Sequence, residues 1–171
     1  VLQYSSLNRA TMVFDNGAFS TGAMQFSPVS EFGVELGFIA SDRRLRIVLL
    51  FDSQSHLSNL TLIREFRQGT PIAQLPHLTV DRLLGTWHGE AVTLYPDWRS
   101  PDTYPTKLSI SREGDRLSQY LSAPQFDFTS TAVISGSRLQ FDRGTPPVQV
   151  LLLPDGASCT TPRTILNRQP F

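Results

Sequence analysis

Glu31-Phe32-Gly33-Val34-Glu35-Leu36-Gly37-Phe38-Ile39 alternates without a break. Phe32, Val34, Leu36 and Phe38 fall on one side of an extended chain, and Gly33, Glu35 and Gly37 on the other. A period of two marks a strand with one buried face. Ser41-Asp42 makes the next turn, and Arg44–Phe51 and Leu57–Arg67 read as two further strands with Asp52–His56 between them. Before Glu31, Thr11–Phe14 and Ala18–Phe26 are β-prone, and Asp15-Asn16-Gly17 between them is a tight-turn signal. Connections this short imply antiparallel neighbours, because parallel strands need long crossovers.

The pattern is interrupted at Gln68–His77, which carries Gly69, Pro71 and Pro76 and reads as a linker. Thr79 is placed to cap a short helix over Val80–Leu84, with Asp81 in its first turn and Gly85 ending it. Strand sequence resumes at Trp87–Tyr95. After the polar stretch Pro96–Pro105 it continues through Lys107–Arg112, Arg116–Leu121, Phe126–Ile134, Arg138–Phe141 and Val148–Leu153. The turns fall at Glu113-Gly114-Asp115, Gly136, Asp142-Arg143-Gly144 and Asp155-Gly156. Many short strands with regular turns mean a barrel or a sandwich.

Bulk composition agrees with a packed β protein. Of 171 residues, 40% are hydrophobic and 18% charged, enough apolar material for a core. Fifteen basic side chains balance fifteen acidic ones, so no charge excess points to nucleic acid. The longest apolar run, Ile47–Phe51, is far short of the roughly 20 residues of a membrane span. Cys159 is the single cysteine, which excludes an internal disulfide and fits a reducing compartment. The chain enters strand-like sequence soon after Val1 and runs to Phe171 without a tail, and it reads as a segment of a longer protein.

Leu83-Leu84-Gly85-Thr86-Trp87-His88-Gly89 sets Gly-x-Trp between a short helix and a strand. This resembles the opening of lipocalin-type barrels, where a large flat side chain closes the apolar end of the barrel. Further stretches extend the likeness: Gly89–Asp97, Arg99–Pro105, Asn16–Ser20, Leu60–Glu65 and Val148–Ser158. Together they resemble an uncharacterised two-lobed lipocalin-like (calycin) family of cyanobacteria and plastids, distantly similar to phycobilin lyase barrels. The resemblance implies an all-β antiparallel calycin barrel, or a composite of two partial barrels. It implies that residues 1–67 are the closing strands of a first lobe, 68–78 a linker, and 79–171 the opening part of a second lobe. A full member would carry about one hundred more residues before Val1. The family setting is cytoplasmic, in cyanobacterial cytosol or plastid stroma.

Motifs for catalysis are absent. His56, His77 and His88 lack metal-ligand spacing, and no cofactor motif is present. Gly-Ala-Phe-Ser-Thr-Gly at 17–22 is one residue off a nucleophile elbow, but it joins strand to strand rather than strand to helix. Cys159 has no charged neighbour, so an inert thiol is expected.

Two features stand out. Glu35, Arg46, Arg64 and Glu65 interrupt apolar strands. If Glu35 and Arg64 face inward they would pair and mark a polar ligand group; otherwise they face solvent. The second feature is Tyr95–Pro105, in which Tyr95, Trp98 and Tyr104 accompany Arg99. Near the mouth of a barrel closed by Trp87, these residues suit an elongated apolar ligand with a carboxylate, such as a fatty acid or a bilin. The alternative is a rigid loop whose rings pack on the barrel. Two functions follow. One is a small hydrophobic or tetrapyrrole-like ligand held in a barrel. The other is a non-enzymatic interaction or assembly factor for photosynthetic or thylakoid complexes. Open strand edges also allow a protein partner or strand exchange between copies.

Overall fold

Among the described residues, each strand pairs within its sheet with its neighbour in sequence, as short connections between antiparallel strands favour. The structure, a computed structural model, describes residues 11–22, 31–73, 75–95, 97, 99–141 and 147–165. These form two units: one holds the described residues up to 73 with 164–165, the other those from 75 to 163. The fold is all-β and antiparallel with two sheets, one of them a curled half-barrel. Among the described residues no helix is long and apolar enough to cross a membrane.

The first unit is a five-stranded meander: β1 (Thr11–Val13), β2 (Ala18–Gly22), β3 (Phe32–Ala40), β4 (Arg43–Phe51) and β5 (Leu57–Phe66). The expected second strand continued to Phe26, but residues 23–26 lie outside the described residues. Phe32, Val34, Leu36 and Phe38 pair with Phe51, Leu49, Ile47 and Leu45, so the apolar sides of β3 and β4 coincide. Ile47, Leu49 and Phe51 are buried there, and the Phe32 and Phe51 rings lie 5.9 Å apart. In the connection between β4 and β5, His56 bridges to Thr164, and Ile165 N–H donates to Ser55 O at 2.8 Å.

The second unit is a seven-stranded sheet in sequence order: β6 (Gly85–Thr93), β7 (Asp102–Glu113), β8 (Arg116–Ala123), β9 (Phe126–Ser135), β10 (Arg138–Phe141), β11 (Val148–Leu152) and β12 (Ser158–Pro162). Its core is built from Leu117, Ala132, Leu139, Phe141 and Leu152, with Leu78 and Val80 packed on them. The segment before β6 is tied down by backbone bonds. Leu78 N–H donates to Leu153 O and Gly156 N–H to Pro76 O, each at 2.9 Å. The buried Asp155 carboxylate accepts Leu75 N–H at 2.9 Å.

Three elements differ from expectation. The helix over Val80–Leu84 is a single 3-10 turn, Val80–Arg82, and the Thr79 side chain makes no capping bond. One turn is too short to propagate an α-helix, whose nucleation is unfavourable. The polar stretch is shorter than Pro96–Pro105, because β7 starts at Asp102. Pro105 is tolerated inside it because β8 pairs with β7 only from Lys107 onward, leaving that side of Pro105 unpaired. The last strand, β12, lacks an alternating apolar pattern, yet Cys159 and Thr161 are buried on it. The expected turn at Asp142-Arg143-Gly144 lies outside the described residues.

The β1–β2 turn carries the sharpest local constraint. Gly17 has φ +87°, and a Cβ there would stand 2.4 Å from the Ile39 carbonyl oxygen. Gly114 also has positive φ, but a Cβ there would meet nothing within 4 Å. Gly17→Ala should therefore lower stability in urea unfolding by about 3 kcal/mol, combining backbone strain with the clash, against about 1 kcal/mol for Gly114→Ala. Equal losses at the two positions would contradict this account.

Candidate functional site

The register of the first unit decides which charged residues meet. The Ser41-Asp42 turn pairs Ala40 with Arg43, so Glu35 lies opposite Val48 and Gly37 opposite Arg46. Arg46 and Glu35 are then diagonal neighbours on one face, and the ladder to β5 adds Glu65 and Arg44 to it. The Arg46 guanidinium donates to Glu65 at 2.9 and 3.2 Å and to Glu35 at 3.1 Å. Arg44 pairs with Glu65 at 3.4 Å, and its guanidinium lies 5.3 Å from the centre of the Phe19 ring. Phe19 fills the space above the buried Gly37, where a Cβ would stand 2.1 Å from the ring. Glu65, and after it Glu35, raise the pKa of Arg46 further.

Glu35 therefore does not pair with Arg64. Arg64 lies opposite Leu45, three residues from Val48, and an odd offset puts it on the other side of the sheet. Counting back from the two tight turns would have identified Arg46 as the partner. Sequence reasoning singled out Glu35, Arg46 and Glu65 but not Arg44, and it lacked the register.

Beside this network a cleft of about 650 Å³ opens on the same face. Thr21, Glu35 and Val48 form one row of its wall, and Gly33, Leu50 and Asn59 the next. Its floor exists because Gly33 has no side chain: a Cβ there would come within 3.0 Å of Leu50. Glu31 and Asp52 line one end. Asp52 also accepts the N–H groups of Gln54 and His56 at 2.9 Å and so shapes the β4–β5 turn.

In the second unit, Trp87, Leu108, Leu121 and Phe128 form one row across β6, β7, β8 and β9 on the core face. Trp87 is nevertheless 52% exposed, Phe126 43% and Phe128 46%, and the two phenylalanine rings lie 6.1 Å apart. Trp87 Nε1–H donates to Leu83 O at 2.9 Å, so its ring is anchored at the 3-10 turn. Sequence reasoning chose Trp87 but missed Phe126 and Phe128, whose spacing of two in a strand was the available signal.

Tyr95, Arg99 and Tyr104 gather where β6 meets β7, while Trp98 lies outside the described residues. The Arg99 guanidinium stands 3.4 Å from the centre of the Tyr95 ring, and the Tyr95 hydroxyl donates to the Asp102 carboxylate. That bond, above all, raises the Tyr95 pKa. Tyr104 is on β7 rather than in a loop, with its hydroxyl 3.4 Å from Thr93 Oγ1. Burial pushes the Cys159 thiol up, away from a reactive thiolate. Among the described residues, no three His, Cys, Asp or Glu side chains converge as metal ligands would.

Two family models match. The C-terminal domain of Biogenesis factor required for ATP synthase 1 (BFA1_C) covers residues 74–171. The N-terminal domain of DUF3598, a domain of unknown function, covers residues 1–70. A crystal structure of a DUF3598 protein of unknown function from Nostoc punctiforme PCC 73102 is similar, with a TM-score of 0.90 and 49% identity over 97% of this chain. The match spans 62% of that protein's chain. No curated protein matches.

Two measurements follow from the geometry. Arg46→Met leaves two half-exposed carboxylates side by side. It should cost about 1–2 kcal/mol at neutral pH, a buried-pair loss reduced by solvent. The deficit should shrink as added salt screens the two carboxylates; a deficit independent of salt would argue against the network. The raised Tyr95 pKa stabilises the fold below the ordinary phenol range, and that contribution is lost as pH rises through the raised value. Asp102→Ala should bring the Tyr95 ionisation, read by ultraviolet titration, back down toward the ordinary range.

Proposed function

The chain belongs to the DUF3598 family and, over residues 74–171, to the BFA1 C-terminal domain family, and from that premise we propose that it is a non-enzymatic, protein-binding module that serves the assembly of ATP synthase. The observation that carries the reading is that the matched stretch spans all seven strands of the second unit. That sheet presents Trp87, Phe126 and Phe128 to solvent on the side that holds its core. Exposed aromatic side chains on a rigid sheet are suited to contacts with a protein surface.

Both sheets are read here as parts of lipocalin-like barrels. Sequential antiparallel order and a tryptophan anchored before the first strand of the second unit support that assignment. The fatty-acid or bilin reading has less behind it. Arg99 is stacked on Tyr95, whose hydroxyl is held by Asp102, so neither group stands ready for a ligand carboxylate.

Deleting the gene for the full-length protein in its host should lower assembled ATP synthase severalfold on native gels, with subunit transcripts unchanged. Re-expression should restore the complex. A Trp87→Ser/Phe128→Ser variant with an unaltered circular dichroism spectrum should restore less than half of it. Undiminished ATP synthase in the deletion strain would refute the reading.

A further inference from the structure

The cleft of the first unit combines an apolar wall with an excess of negative charge. Leu50, at 42% exposure, and Val48 supply the apolar part. Glu35 is balanced by Arg46, and the Arg44–Glu65 pair beside it is also neutral. Glu31 and Asp52 lie at the open end, and among the described residues the basic side chain within 4 Å of Asp52 is His56, at 3.9 Å. A carboxylate ligand entering here would meet like charge, whereas a cation would find two acidic partners. Ser58, Asn59, Leu50 and Glu31 are all exposed along the cleft. It is thus an open trough, whereas a small-molecule pocket encloses most of its ligand.

We propose that this trough receives an extended segment of a protein partner that carries one Lys or Arg between apolar side chains. The proposal rests on the reading of the chain as a protein-binding module and names the chemistry by which a partner is recognised. The basic side chain lies between Glu31 and Asp52, and its apolar neighbours pack on Val48 and Leu50. Charge and shape supply the selection.

The test uses the whole chain and a short dye-labelled peptide of alternating leucine and serine with one central lysine, followed by fluorescence anisotropy. A matched peptide has norleucine in place of lysine. The lysine peptide should bind at least about fivefold tighter than its match at low salt, with the advantage fading as salt screens the charges. Glu31→Gln/Asp52→Asn should weaken it about tenfold. Both substitutions are mild: Glu31 is exposed, and an amide oxygen at position 52 can still accept the Gln54 and His56 N–H groups. Leu50→Arg, also at an exposed position, should abolish binding by filling the trough with a cation of its own. Equal binding of the two peptides, no binding of either, insensitivity to Leu50→Arg, or displacement of the peptide by palmitate would each overturn the proposal. The deletion experiment reads the assembly role without reference to this trough, so the two can fail separately.

Discussion

One face of each sheet has to leave water, and that requirement sets the register of every strand that carries it. On β4 the buried set is Ile47, Leu49 and Phe51. Sliding that strand by one residue would place Arg46, Val48 and Leu50 there instead and bury a guanidinium. In the second unit the row through Leu117, Ala132 and Phe141 is held in the same way. Once those rows are fixed, the opposite face has no freedom left: its residues meet whatever the ladder puts beside them.

That opposite face is where the first unit differs from a plain half-buried sheet. Glu35, Arg46, Glu65 and Arg44 form a continuous charged row across three strands, and Phe19 closes over Gly37 next to it. An aromatic ring lying on a glycine covers backbone that would otherwise be exposed. Arg44 and Arg46 neutralise Glu35 and Glu65, although Arg44 Nε is buried without a hydrogen-bond partner among the described residues, and the Glu31 and Asp52 carboxylates supply the polar character of the neighbouring cleft. The second unit shows the reverse arrangement. Its core face is largely apolar, with Gln119 and Ser130 between the rows of Leu117 and Leu121, and burial stops short of Trp87, Phe126 and Phe128.

Much of this was legible in the residue order. The alternation of Phe32 to Phe38, the Asp15-Asn16-Gly17 turn and the placement of Trp87 after a short turn all correspond to elements of the fold. The failures have physical causes. Tyr104 falls in the polar, proline-containing stretch Pro96–Pro105, which reads as a loop, yet a strand accepts Pro105 where no neighbour needs its N–H. Ser158–Pro162 was passed over because strand propensity says little about small polar residues, and its burial comes from the sheet it joins. The conditional pairing of Glu35 with Arg64 does not occur, because the two residues lie on opposite sides of the sheet, which only the register reveals.

What the sequence determined by itself was local: a two-residue period, turns that require glycine, and the resulting antiparallel β class. These follow from backbone geometry within a few residues, so the chain needs no distant information to express them. The tertiary structure alone decided which side chains meet. It made Arg46 rather than Arg64 the partner of Glu35, opened a cleft over Gly33, and left three aromatic rings of the second unit in water. Such contacts depend on the summed offsets of successive turns and on one bulge between Leu50 and Phe51. A change of a single residue in that sum reverses the face of every side chain that follows.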